Sequence, residues 1–238
     1  HTHGTNLWMS NFFYEKFGPK RVYSDKYTQH TYDIALALQR LIENTGVKIA
    51  NDLYHITKSK NLCVAGGVAL NVLMNRSIID KTPFENYFFQ PISNDAGSSF
   101  GSSLYYYHQI LGHDRSSIFN SVYLGTEYSN EEIERALTSY NLIYKKTDNI
   151  SKSTAKYIAD GKIVGWFQGK MEAGPRALGN RSIVADARSK DMKDRLNKRV
   201  KRREFFRPFA PSVLEEKVYE YFIMPKDQLS PYMMIVGD

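Results

Sequence analysis

The run NLCVAGGVALN, Asn61–Asn71, limits what this chain can fold into more than any other stretch of it. A short apolar segment closed by two glycines and followed by a renewed apolar pattern predicts a strand, a tight turn and a helix. We place a buried strand at Asn61–Ala65, the turn at Gly66–Gly67 and the helix over Val68–Arg76. The same order recurs downstream, with a strand at Tyr87–Phe89, the turn NDAG and a helix over Ser98–Leu111. Repeated strand–turn–helix order argues an α/β arrangement, in which ligands collect at the carboxyl ends of the strands. Ahead of it, Ile34, Leu38, Leu41, Ile42, Ile49, Leu53 and Ile56 recur at near-helical spacing. They predict one long helix from Tyr27 to about Lys58, either continuous or broken near Gly46.

Past the polar, aperiodic linker at His113–Ser117 the pattern becomes α+β, dividing the chain into 1–115 and 118–238. Helices are expected over Ser129–Tyr140, which opens on the capping sequence SNEE, over Ser153–Asp160, which Gly161 ends, and over Asp191–Val200. Strands are expected at Leu142–Tyr144, Ile163–Phe167, Ile183–Ala185, Ala210–Leu214 and Met233–Val236. A length of 238 residues suits one large domain or two modest ones.

The net charge is +7, and the positive excess is concentrated between Lys145 and Arg207. Such a balance favours an anionic partner, whether nucleotide, nucleic acid or membrane surface. The single cysteine, Cys63, excludes an internal disulfide and any CxxC motif, and its apolar surroundings predict a small buried hydrophobe rather than a nucleophile. His30, His55, His108 and His113 are scattered without metal-ligand spacing. Tyr105, Tyr106 and Tyr107 could stack a base, but consecutive helical residues share no face, so most are expected to pack. No apolar run is long enough to span a bilayer and no signal peptide is evident, which reads as cytoplasmic.

The charge is arranged most tellingly in GWFQGKMEAGPRALGNRSIVADARSKDMKDRLNKRVKRREFFRPF, Gly165–Phe209. Lys170, Arg176, Arg181, Arg188, Lys193 and Arg207 stand among turns punctuated by Gly169, Gly174, Pro175 and Gly179. Glycine lets backbone approach a ligand closely, and arginine grips phosphate or carboxylate with a planar fork. Arg176 and Arg181 flank Gly179 and Asn180 closely enough for both forks to reach one phosphate, while Arg207 would approach from another loop. The segment is suited to a compact polyanion. The run KRVKRR, Lys198–Arg203, fits a solvated or nucleic-acid-contacting face better.

GWFQGKMEAGPRALGNRSIVAD, with MKDRLNKRV and FRPFAPSVLEE after it, resembles the C-terminal domain of the O-carbamoyltransferases of antibiotic and nodulation-factor biosynthesis. NLCVAGGVALN and QPISNDAGSSFGSSLYYY resemble the end of that family's N-terminal domain, so the likeness runs from roughly Tyr27 onward. The resemblance implies residues 1–115 to be the C-terminal part of an ASKHA-class, ATP- and metal-binding domain. It implies residues 118–238 to be a partial, YrdC-like domain binding carbamoyl phosphate and ATP. The family forms carbamoyl adenylate in the second and carbamoylates a hydroxyl of a sugar-like acceptor in the first. Its histidine metal ligands belong upstream; His1 and His3 do not match them, and the chain reads as an internal fragment of a longer protein or a naturally shortened relative.

Carried over residue by residue, the resemblance makes Gly66 and Gly67 the nucleotide-phosphate turn, with Asn71 donating to nucleotide or acceptor. Asp95 falls where the family has a ligand for a divalent metal such as Fe or Mg, a site incomplete without the histidines; a helix N-cap is its alternative. Arg176, Arg181 and Arg207 would surround carbamoyl phosphate, and Asn180 and Ser182 would hydrogen-bond its amide. Lys170 stands where relatives commonly carry arginine, and Ala173 where they often carry phenylalanine. A basic nucleic-acid-binding module and an inactive fragment are the rival readings; the expected partners are carbamoyl phosphate, a hydroxyl-bearing small-molecule acceptor and, as an open alternative, a second copy of the chain (a homo-oligomer), with no membrane partner.

Overall fold

The computed structural model describes residues 9–22, 24–115, 119–225 and 228–238. His1, His3 and the end of the linker at Ser116–Ser117 lie outside them.

A short helix α1, Asn11–Phe17, which the sequence pattern did not suggest, precedes the long helix α2, Gln29–Thr57. Thr28 caps α2 with a reciprocal side-chain box to Thr31, and Lys58 ends it in the left-handed region. Of the two alternatives at Gly46 the continuous one holds: α2 runs through it unbroken. The glycine serves packing instead, because a Cβ there would stand 2.8 Å from Met74 Cγ. Its bare backbone lets α3, Val72–Lys81, lie close along α2. Ala50, Leu62, Met74, Ile78 and Phe84 form the resulting core.

Between α2 and α3 runs β1, Asn61–Val64, followed by a tight helical turn at Gly67–Leu70. After α3 comes β2, Asn86–Phe89, which pairs with β1 in parallel, Asn61 opposite Asn86 and Val64 opposite Phe89. A parallel pair needs a crossover, and α3 supplies it. Helix α4, Gly97–Tyr105, continues through a wider π-type turn to Ile110. The strand–turn–helix order of the sequence is therefore real, but β1 is not the buried strand expected. Only Leu62 is buried, and Cys63 is exposed rather than a core hydrophobe. Tyr105, Tyr106 and Tyr107 are likewise exposed instead of packed, with Tyr107 stacked on the His113 ring.

In the second half, α5, Asn130–Ser139, and α6, Ile150–Ala159, are capped by Ser129 and Asn149. Strands β3, Val164–Phe167, and β4, Arg181–Val184, form an antiparallel pair that frames the glycine-rich segment. Helix α7, Met192–Arg195, continues into a π-type turn to Lys201, and α8, Val218–Tyr221, is a single turn. The strands expected at Leu142–Tyr144, Ala210–Leu214 and Met233–Val236 do not form. Met233 holds a φ of 53°, incompatible with a strand, and its neighbours serve a different purpose. Met234 packs with Ile79 and Phe89, its carbonyl accepts from Asn75 Nδ2 at 2.8 Å, and Arg76 reaches Val236 O and Asp238. The last residues are thus built into the first half's core. The whole is a mixture of helices with two small sheets, within the α/β and α+β expectation.

Candidate functional site

The two turns that follow the parallel strands, Ala65–Leu70 after β1 and Gln90–Asn94 after β2, lie side by side, joined by Gln90 N donating to Val64 O at 3.0 Å. This is the carboxyl edge of the parallel pair, where α/β folds place ligands. Nothing lies within 4 Å of the position a Cβ would take on Gly66 or Gly67, so the turn's outer face is open to an approaching group. Asn71 is less available than expected. Its Oδ1 caps Met74 N at 3.0 Å, and its Nδ2 donates to Gln39 Oε1 at 2.8 Å.

The glycine-rich segment from the second half closes over this edge. Gly174, with φ of 101°, puts its backbone so near Pro91 that an added Cβ would stand 2.9 Å from Pro91 O. Two residues on, Arg176 Nη2 donates to Leu70 O at 3.0 Å, across 106 positions of sequence. That single bond brings the two motifs most prominent in the sequence into contact.

The loop that carries Arg176 is held from beneath by Glu172, a residue sequence reasoning passed over. The residue is 8% exposed, and its Oε1 accepts from Leu178 N at 2.7 Å, Asn180 N at 2.8 Å and Arg181 N at 3.3 Å. Burial works against its charge, yet the amides of Asn180, Leu178 and Arg181 hold the carboxyl below its usual range. A lone acid in MEAGPRALGN could have been flagged, since three glycine-loop amides need an acceptor. Tyr123 tightens the same loop, its hydroxyl donating to Leu178 O at 2.8 Å.

Arg176 and Arg181 make different contacts. Arg181 donates to the carbonyls of Gln168, Asn180, Thr126 and Gly169 and lies 3.6 Å over the Phe167 ring, so its fork braces the turn. Asn180 Nδ2 donates to Lys170 O, and Ser182 Oγ accepts from Gly179 N, so both polar groups engage the loop itself. The Lys170 side chain is exposed. Arg207 pairs with Glu204 at 3.0 Å, on a loop fixed by the buried Asn197, which donates to Phe205 O and Arg207 O. In the basic run, Arg203 stacks on Phe209 and donates to Asn197 Oδ1, so part of that charge is structural.

Asp95 is exposed, and its carbonyl accepts from Ser98 N, opening the turn into α4. Among the described residues no group of three or more His, Cys, Asp or Glu side chains could hold a metal ion. The ligand set that Asp95 would need does not fit within them.

Comparison with known proteins fits both halves of this arrangement. Residues 2–104 match the family model described as Carbamoyltransferase N-terminus, and residues 155–238 match that described as Carbamoyltransferase C-terminus. The chain belongs to the carbamoyltransferase family. It is 42% identical to an uncharacterised protein of Synechocystis over 99% of this chain and 40% of that one. It is 38% identical to nodulation protein NolNO of Sinorhizobium fredii over 88% of this chain and 32% of the relative. With nodulation protein NolO of Bradyrhizobium diazoefficiens it shares 39% identity over 84% and 37% respectively. The chain spans two-fifths or less of the length of these three relatives. As a carbamoyltransferase-family chain it carries stretches of both family models, and they meet at Arg176 and Leu70. Among the described residues no helix is long and apolar enough to cross a membrane.

Proposed function

We propose that this chain is part of an ATP-dependent O-carbamoyltransferase, its first half of the ASKHA class and its second YrdC-like. The observation that carries the reading is the docking of the arginine-bearing loop onto the glycine turn at the strands' carboxyl edge. An arginine bonded to the end of a turn whose two glycines stand open is a setting for a small anion beside a nucleotide.

Carbamoyl phosphate and ATP are the substrates. Water displaces phosphate from carbamoyl phosphate, leaving carbamate. A carbamate oxygen attacks the α-phosphorus of ATP and pyrophosphate leaves, giving carbamoyl adenylate. A hydroxyl of a sugar-like acceptor attacks the carbamoyl carbon, its proton is lost, and AMP departs. The charge that moves through these steps is borne by phosphoryl and carboxyl oxygens, and preorganised donors stabilise it. Arg176 supplies a guanidinium at the edge, Arg207 a second from its own loop, and Arg181 holds the turn that carries Asn180 and Ser182. The metal of the family's acceptor step has no ligand set among the described residues, so no step is assigned to it.

Arg176→Ala tests the reading. It removes a single hydrogen bond between the halves, so the fold should persist by circular dichroism while carbamoyl adenylate, detected by mass, disappears. Unchanged adenylate formation would contradict the assignment.

A further inference from the structure

Among the described residues, the buried side-chain atoms that lack a hydrogen-bond partner are Asn75 Oδ1, Ser93 Oγ, Asn94 Oδ1 and Arg176 Nε. They are not scattered. Asn75 Nδ2 donates to Ala69 O, and Arg176 Nη2 to Leu70 O, the next carbonyl along. Gly174 touches Pro91 and Ile92, and Ser93 and Asn94 follow directly. All four atoms therefore belong to the place where the loop closes on the carboxyl edge of the strands. Asn75 is fully buried and Ser93 is 6% exposed, so each unmet group costs free energy in the closed protein.

The four groups ask for a definite chemistry. Two amide oxygens lack a donor, one guanidinium N–H lacks an acceptor, and a hydroxyl can do either. The orientation of Asn75 is fixed, because its Nδ2 already donates to Ala69 O and Met234 O. Inorganic phosphate offers acceptors to Arg176 but little to the two asparagines. A carbamoyl group offers both: two N–H donors on one nitrogen and a carbonyl oxygen beside them.

We propose that this junction is the carbamoyl pocket, and that Asn75, Ser93 and Asn94 of the first half determine specificity for carbamoyl phosphate. The inference rests on the function proposed above and moves one part of it. Recognition of the donor is shared across the two halves, with Arg176 taking the carbonyl oxygen and the asparagines reading the NH2. Because the four atoms are sealed, the loop at Gly174–Arg176 lifts from Pro91–Ile92 to admit the group.

Acetyl phosphate is the probe, since it replaces the NH2 by a methyl of similar size. Titration calorimetry of the 238-residue chain with each phosphate should show carbamoyl phosphate bound roughly a hundredfold tighter, about tenfold for each N–H bond. Asn94→Leu should weaken carbamoyl phosphate about tenfold and leave acetyl phosphate unchanged. Ser93→Ala removes only an unmet hydroxyl, so its thermal midpoint should hold or rise while carbamoyl phosphate affinity falls. If the wild-type chain binds the two phosphates equally, or both folded variants keep wild-type affinity and preference, the pocket is overturned and the function stands. Failure of the wild-type chain to bind carbamoyl phosphate would overturn the function as well as the pocket.

Discussion

Glu172 shows how one side chain can set a loop. Its carboxylate gathers the part-buried amides of Leu178, Asn180 and Arg181, which would otherwise lack a protein acceptor. Glu172→Ala should destabilise the chain by roughly 3 kcal/mol in urea unfolding, because those amides lose a charged partner. Glu172→Gln keeps an acceptor oxygen and should recover much of the loss. The pH dependence follows from the carboxyl's depressed titration. A group whose folded pKa lies below its unfolded value of about 4.3 contributes fully above that value. Its contribution disappears as pH falls through the folded pKa. Stability of the wild-type chain should therefore drop on acidification below about pH 4.3 more steeply than that of Glu172→Gln; parallel curves would remove Glu172 from this role. Gly174 is the other sensitive position. With a positive φ and Pro91 O in the way of a Cβ, Gly174→Ala should cost about 2 kcal/mol and loosen the contact between the halves.

Helix α2 and the parallel pair define the elements that present the site. Gly46→Leu should force α3 away from α2, at a cost of about 2 kcal/mol by thermal melting, since Met74 already fills the space. A neutral result would mean that Met74 swings aside and that the close approach is not needed. That residue also marks where sequence reading reached its limit. Periodicity locates α2 but leaves open whether the glycine within it is a break, because a close-packed partner leaves no local trace in the sequence. Strand–turn–helix order likewise located β1 and β2 together with their turns. Apolar composition, however, predicted burial for Cys63 that the two-stranded sheet does not provide. Met233–Val236 read as a strand from its β-branched and apolar residues. It is held instead by side chains of α3, a contact across about 160 positions that no local pattern encodes. At the site, the prominence of Arg176 and of the glycine turn was legible from residue type and spacing. Their meeting was not, nor was the diversion of Arg181 to four backbone carbonyls.

Taken as a molecule, the chain exposes 18145 Å². A compact monomer of its mass would expose about 11,000 Å². Part of the excess is apolar: Leu38, Leu41, Ile49, Leu53 and Ile56 lie exposed along one stripe of α2, away from the face that holds α3. A stripe of that extent favours association. The isolated chain should elute above monomer mass in size-exclusion chromatography with light scattering, and Leu41→Glu with Ile49→Glu should return it to monomer. Monomeric behaviour of the wild-type chain at high concentration would contradict this.

The proposed joint handling of carbamoyl phosphate and ATP by the two halves rests on their meeting at Arg176. It is tested most directly by pyrophosphate release from ATP, with and without carbamoyl phosphate, and mass detection of the product. Release that depends on carbamoyl phosphate and is accompanied by carbamoyl adenylate is expected. Release that is absent, or that proceeds equally without carbamoyl phosphate, would contradict it.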